Sequence, residues 1–323
     1  MPTKCRKVEK MNENRDNQSD SLRHRVGGGV RFWGIVAGVL GFVFYGTNPL
    51  GTLPLYADGI SSGNVLFYRY GFSVAIFAVW LLLRGESLSV KRGHAIRLAI
   101  LGVMFAFSSL TLYESFHYMD AGVASTILFS YPIMTALLMV IFFHERVTWR
   151  TTFAIALAVS GIVLLYHGDA GVTLSATGVL LVLFSSLLYA FYIVSVRQFR
   201  IEGMSAEKFT AYVVFFGWLT LMAFSALTGT HFQLLHGTQW LWGLQLALLP
   251  TVLSIFLINV AIKSIGATPT AIMGALEPVT AVIISCSLFG ERFTVRLAIG
   301  IALILSAVIL IILRKQKIND SSL

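Results

Sequence analysis

The sequence predicts an all-α integral membrane protein of ten transmembrane helices, arranged as two inverted five-helix repeats. Three observations predict it: a composition too apolar for water, ten separate apolar runs of bilayer length, and a charged motif that recurs at a fixed offset. Apolar residues make up 56% of the 323 and charged residues only 12%, against about 45–50% and about 25% in soluble domains. A water-soluble fold of this length has no interior large enough to hide that surface.

A bilayer core takes about 20 mostly apolar residues per helix. Such runs fall at 31–48, 63–83, 95–116, 121–143, 150–167, 174–198, 208–228, 241–263, 269–289 and 294–313. Turn chemistry separates them: Asn48-Pro49, Arg84-Gly85, Asp120-Ala121-Gly122, His167-Gly168-Asp169, and Gly266 before Pro269. The predicted organisation is a disordered basic cytoplasmic tail over 1–30, a first repeat over 31–167, a second over 174–313, and a cytoplasmic tail over 314–323. Charge sets the orientation. With the amino terminus inside, only Arg292 and Arg296 of the 24 Lys and Arg fall outside, and Arg69 lies within a span. Such a bias puts both termini in the cytoplasm of a cell membrane, a bacterial inner membrane being the expected one. The net charge of +9 is thus a topology signal and not a nucleic-acid footprint. Cys5 and Cys286 sit in unlike surroundings, so no disulfide is expected, nor any metal site.

A shift of 146 positions lays Phe143-His144-Glu145-Arg146-Val147-Thr148-Trp149-Arg150 on Phe289-Gly290-Glu291-Arg292-Phe293-Thr294-Val295-Arg296. Pro132 then falls on Pro278 and Ser160 on Ser306. Apolar runs match by chance, but F-x-E-R-x-T-x-R twice at one offset does not. Because each half holds an odd number of spans, the second enters the membrane upside down. That is the architecture of secondary transporters, whose sites lie near midplane between the repeats.

Two five-helix units, each with a proline-bearing fourth helix, a Glu-Arg turn and a small-residue-rich last helix, resemble the drug/metabolite transporter superfamily. The stretches Glu277-Pro278-Val279 and Gly290-Glu291-Arg292, with Tyr68-Arg69-Tyr70, are most similar to its EamA-type ten-helix branch. The resemblance covers about residues 31–313 and implies an inner-membrane carrier of small metabolites such as amino acids, with export as its direction and protons or solute exchange as its drive. The first half departs from the pattern at Tyr131-Pro132, and His144 stands where the second half has Gly290.

Ionisable groups inside a span cost at least about 2.5–3.5 kcal/mol near the centre. Glu277 lies about 12 Å into the ninth span at the helical rise. Two readings stand for it: a proton-coupling carboxylate or partner of a substrate ammonium, or a protonated group bonded to backbone freed by Pro278. Arg69, about 9 Å below the outer surface, could clamp a substrate carboxylate with its fork or bridge to Glu114 at similar depth. Tyr113 and Asn259 are equivalent under the shift, as are Tyr131 and Glu277. Such pairs would line a site on a pseudo-two-fold, or serve as polar glue between helices. Pro132 and Pro278 bend their helices and, with Glu114, form the expected structural or coupling set. Asn48-Pro49 and Pro250 are hinges or simple kinks. Trp218, like Trp33, Trp80, Trp240 and Trp242, is expected at a membrane interface, and Gly161 and Ser306-Ala307 read as close helix packing.

No H-E-x-x-H, paired Asp, serine elbow or Walker lysine motif is present, which excludes the common enzyme classes and ATP hydrolysis. No cofactor is expected. The partners are a small-molecule substrate, protons and the bilayer. A nucleotide-sugar or organophosphate exchanger is the alternative, and it would need several cations in the cavity.

Overall fold

The computed structural model describes residues 31–143, 149–166, 175–199, 201, 203–229, 231–265, 270 and 272–320, and every regular element among them is helical. We number the helices α1 (Arg31–Ala57), α2 (Ser62–Leu83), α3 (Arg92–Ser115), α4 (Ala121–Phe142), α5 (Trp149–Tyr166), α6 (Ala176–Phe199), α7 (Ala206–Thr228), α8 (Gln239–Ile265), α9 (Leu276–Leu288) and α10 (Val295–Asp320). Among the described residues, α1–α4 and α6–α8 are long and apolar enough to cross a membrane; α5, α9 and α10 carry the shorter apolar stretches Thr152–Leu165, Leu276–Leu288 and Val295–Leu310. The predicted tail 1–30, the Glu145-Arg146 turn with His144, the His167-Gly168-Asp169 break and the Gly266–Pro269 break lie outside the described residues.

Helices α2–α8 start and stop within three residues of the predicted runs. Three predicted boundaries move further: α9 begins at Leu276 and not at 269, and the first and last runs end later than predicted. The first run does not stop at Asn48-Pro49. It turns at Gly46-Thr47 and resumes as Asn48–Ala57, with Pro49 in the first helical positions. Proline is at home there because it lacks only an N–H that the helix start leaves unpaired anyway. Thr47 Oγ1 donates to the Phe44 carbonyl at 2.6 Å and Asn48 Nδ2 to the Tyr45 carbonyl at 2.7 Å, which satisfies the groups the turn frees. At the other end, α10 runs on to Asp320, into the predicted tail. Lys315, Gln316 and Lys317 are good helix formers, and cations suit a helix C-terminus.

The main contacts pair off between halves. Helices α2 and α7, α4 and α9, and α5 and α10 each pack on their own counterpart. The contacts α3–α6, α3–α7 and α4–α6 have their equivalents in α8–α1, α8–α2 and α9–α1. Exchange of α1–α5 with α6–α10 therefore leaves this packing scheme unchanged. Small residues permit the approach: a Cβ on Gly161 would sit 2.9 Å from Ile304 and 3.1 Å from the Gly300 carbonyl, so α5 and α10 touch nearly backbone to backbone. Many large apolar side chains outside this core are exposed, Leu83 and Leu227 by more than 80%, as lipid-facing helices require.

Candidate functional site

Two helix breaks build the centre of the molecule. Helix α4 turns at Phe129-Ser130 and restarts at Tyr131, with Pro132 second. Pro132 has no N–H for the Leu128 carbonyl, and Ser186 Oγ donates to that carbonyl instead, at 3.3 Å. In the second half the chain turns at Gly274-Ala275 and α9 begins with Leu276, Glu277 and Pro278. Tyr131 and Glu277, equivalent under the 146-residue shift, thus each open the helical segment that follows a break. Interrupted helices of this kind are where membrane carriers place their ligand sites.

Both side chains face one narrow cavity of about 30 Å³, room for about two waters. From α1 comes Tyr45, beside its own break. From α3 come Phe105, Ser108, Ser109 and Leu112, from α4 Leu128 and Tyr131, from α6 Ser185 and Tyr189, and from α9 Glu277. Glu277 is 8% exposed, and among the described residues its carboxyl has no hydrogen-bond partner. The second sequence reading, a carboxyl bonded to freed backbone, gains no such bond here. Tyr131 meets Tyr189 edge to face at 4.8 Å.

Arg69 is placed differently. It is 4% exposed, and its Nε donates to Thr251 Oγ1 at 3.1 Å and its Nη1 to the Tyr113 hydroxyl at 2.7 Å. Tyr113 in turn donates to Asn48 Oδ1 at 3.0 Å. Thr251 sits in a π turn, Leu248–Leu253, opened by Pro250, and donates to the Leu246 carbonyl. The kinks at Asn48-Pro49 and Pro250 therefore carry the partners that hold Arg69. The expected bridge to Glu114 is replaced: Glu114 Oε2 accepts from Ser62 Oγ at 2.9 Å, in a patch where Tyr56 bonds Ser62 and stacks on His117 at 4.2 Å. Arg69 is nevertheless near enough to Glu277 for their charges to interact.

Of the predicted site residues, Tyr131 and Glu277 share the cavity. Tyr113 and Arg69 form the adjoining cluster, and Asn259 lies in neither, its buried Nδ2 without a partner among the described residues. Sequence reasoning missed Tyr45, Tyr189, Ser108 and Ser185, whose only local signal is position near a break or on the face toward one. It also missed a contact at the far end of α4. Glu291 Oε1 accepts from Ala121 N at 2.8 Å and Oε2 from Gly122 N at 3.1 Å, which caps that helix. Burial first, then the nearby Asp120 charge, push the Glu291 carboxyl up to about 7. Trp218, expected at an interface, instead stands mid-way along α7 against Phe67.

The family described as EamA-like transporter matches this chain twice, over residues 32–167 and 176–313. The chain is 27% identical over 281 residues to an uncharacterized transporter, YyaM, of Bacillus subtilis, spanning 84% of this chain and 91% of the relative. It is 26% identical over 264 residues to an uncharacterized inner membrane transporter, YicL, of Salmonella typhimurium, spanning 80% and 87%. A crystal structure aligns at a TM-score of 0.61 with 19% identity, over 88% of this chain and 98% of that one, which supports the fold alone. Two matches that together span most of the chain, on halves whose packing interchanges, lead to one conclusion: the chain belongs to the EamA-like transporter family.

Proposed function

We propose that the protein is a secondary transporter that carries a small solute of weak or single charge by alternating access. In this reading ten spans form two inverted five-helix repeats, with both termini in the cytoplasm, the Glu291-Arg292 loop outside, and the bacterial inner membrane as the location. The relative named as an inner membrane transporter supports that location. One observation carries the proposal: Tyr131 and Glu277, symmetry-equivalent residues at two helix breaks, line the same buried cavity. A repeat and its inverted copy can rock either way about such a site at similar energy, which exposes it to each side in turn.

Glu277 is the coupling group. A carboxyl in a dry cavity holds either a proton or a cationic ligand, so release of one to admit the other links the two movements. Tyr131 shapes the other wall. Tyr113 and Arg69 act from the adjoining cluster, and Asn259 supplies a hydrogen bond in the opposite rocked state. An organophosphate exchanger is disfavoured, because among the described residues no cationic side chain lines the cavity and Arg69 is engaged beside it.

The test is counterflow in proteoliposomes against a pooled mixture of amino acids, amines and sugars, read by mass spectrometry with and without a pH gradient. Selective exchange of one class is expected in the wild type. Loss of the pH response is expected in Glu277→Gln. No movement of any solute from folded protein would end the transport reading, and pH-driven flux preserved in Glu277→Gln would end the coupling role.

A further inference from the structure

Helices α2 and α7 pack on each other, and beyond Ser73 their seam opens into a groove of about 230 Å³. Val74, Ala78 and Leu81 of α2 form one wall, at the spacing of one helix face; Ala211 and Phe215 of α7 form the other, and Leu88 stands beside them. Among the described residues no charged side chain lines it. From Val74 to the end of α2 at Leu83 is about 14 Å at the helical rise, close to the roughly 15 Å depth of one leaflet's hydrocarbon.

The mouth of this groove is built. Tyr212 donates to the Leu88 carbonyl, Lys208 Nζ to the Ser87 and Ser89 carbonyls, and Ser205 Oγ to Glu86 Oε2. These bonds tie the segment after α2 along the start of α7 and fix Leu88 there, yet the groove stays unfilled. At the opposite end of the same helix pair the chain supplies its own filling. Phe67 of α2 meets Trp218 of α7 at 5.5 Å, and Phe232, from the segment that leaves α7, packs on Phe67 at 4.9 Å. Close-packed proteins leave few voids larger than a water, so a space of this size is made for an occupant from outside the chain. In a bilayer an apolar groove takes an acyl chain.

Charge decides which lipid. Arg84, Lys91 and Arg92 are exposed, and each lies within four residues of Leu81 or Leu88, as Lys208 does of Ala211. Arg84 rests over the Trp80 ring, its Cζ 4.8 Å from the centroid, which holds its guanidinium at the helix end. The nearby carboxylates do not cancel this: Glu86 is bonded to Ser205, and Glu207 is buried. In the orientation proposed above, this rim faces the cytoplasm, whose leaflet carries the negative surface potential. We propose that the α2–α7 groove binds an anionic phospholipid, with one acyl chain in the groove and the phosphate on Arg84, Lys91 and Arg92.

The test titrates full-length, delipidated protein in detergent with dioleoyl phosphatidylglycerol or dioleoyl phosphatidylcholine and counts bound lipid by native mass spectrometry. One phosphatidylglycerol is expected to bind at least about tenfold more tightly than the phosphatidylcholine of the same chains. The triple variant Arg84→Gln, Lys91→Gln, Arg92→Gln should bring the two lipids within about threefold. Ala78→Phe, which fills the groove, should remove that adduct, and glycerol 3-phosphate, a headgroup without chains, should not compete. Circular dichroism and gel filtration check the fold of each variant; the triple variant, all exposed positions, decides if Ala78→Phe does not fold. Equal affinity for the two lipids, or selectivity unchanged in the triple variant, overturns the proposal. So does competition by glycerol 3-phosphate, which assigns the rim to soluble anions, or a dimer that Ala78→Phe dissociates, which assigns the groove to a second copy. None of these readouts depends on transport or on which face is cytoplasmic, so the two readings stand or fall separately.

Discussion

Two neighbouring polar regions lie buried in this molecule, and they are finished differently. Around Arg69 a chain of hydrogen bonds links α1, α2, α3 and α8: guanidinium Nε and Nη1 to Thr251 and Tyr113, Tyr113 to Asn48, Asn48 and Thr251 to backbone carbonyls. The Glu277 carboxyl joins no such chain among the described residues and opens on a cavity. Buried polar groups in stable structure are nearly always paired. A hydrogen-bonded network rigidifies what it touches, whereas a buried carboxyl without a bond in a space shaped around it is placed to take a partner. The Arg69 cluster is thus scaffold on this comparison, and the cavity is the working part.

Conservative substitutions break or sharpen that contrast most directly. Arg69→Lys removes the planar fork, and one ammonium cannot serve both Thr251 and Tyr113 in their present positions. A lost charge-assisted hydrogen bond should lower stability by about 1.5–3 kcal/mol. Glu277→Gln is nearly isosteric and breaks no bond described here, so its cost should stay within about 0.5 kcal/mol. Thermal unfolding in detergent reads the first effect, and counterflow reads the second variant. Should Glu277→Gln be the more damaging to stability, the roles assigned to the two regions would have to be exchanged.

Much of this layout is readable from residues alone, for a physical reason. Bilayer thickness fixes the length of an apolar run, and the dry core makes Glu277 and Arg69 conspicuous by their expense. The recurring F-x-E-R-x-T-x-R motif carries the equivalence of Tyr131 and Glu277. What a linear pattern does not contain is the far side of a contact. Arg69 and Glu114 stand at similar depth, yet Thr251 and Tyr113 take the arginine and Ser62 takes the carboxylate. The breaks within α1 and α4 also hide, since Phe129-Ser130 and Gly46-Thr47 are as apolar or small as the helix around them. Pro49, Pro132 and Pro278 mark each restart, not each stop, and reading them as N-terminal prolines would have exposed Tyr45 as a neighbour of the site.

A smaller effect is expected at the Glu291 cap, which resembles the Arg69 cluster in its bonds but not in its charge balance. Its carboxyl is raised from 4.5 to about 7 by burial and by Asp120. Between those values the folded protein binds more protons than the unfolded chain, so stability falls as pH rises through the window. Unfolding midpoints measured from pH 4.5 to 7 should decline in the wild type. In Glu291→Gln that decline should flatten, while one acceptor still caps α4. An unchanged slope in the variant would mean that this carboxyl titrates like a solvated one.

The smallest expected effect separates two seams that the repeat makes equivalent. Ser108 on α3 bolts to Ser185 on α6 by a reciprocal pair of hydrogen bonds. The 146-residue shift puts Ser254 of α8 where Ser108 stands and Val39 of α1 where Ser185 stands. At this position the second seam has no bolt: Ser254 Oγ is buried without a partner among the described residues, and the hydrogen bond across this seam lies elsewhere, from Gln245 Nε2 to Thr47 Oγ1 at 3.1 Å. Around Ser254 it closes by packing, with Gly34, Gly38 and Gly41 set against Ser264, Ala261 and Ile258. Interhelical hydrogen bonds in a membrane average about 0.6 kcal/mol, so Ser108→Ala should cost roughly one such bond or two. Ser254→Ala should cost nothing, because it removes a hydroxyl that nothing satisfies. If the two variants differ this way, the serine bolt belongs to the α3–α6 seam alone, and the stretch of the α1–α8 seam around Ser254 is held by packing without it. Equal costs would show the two seams to be alike in strength at this position.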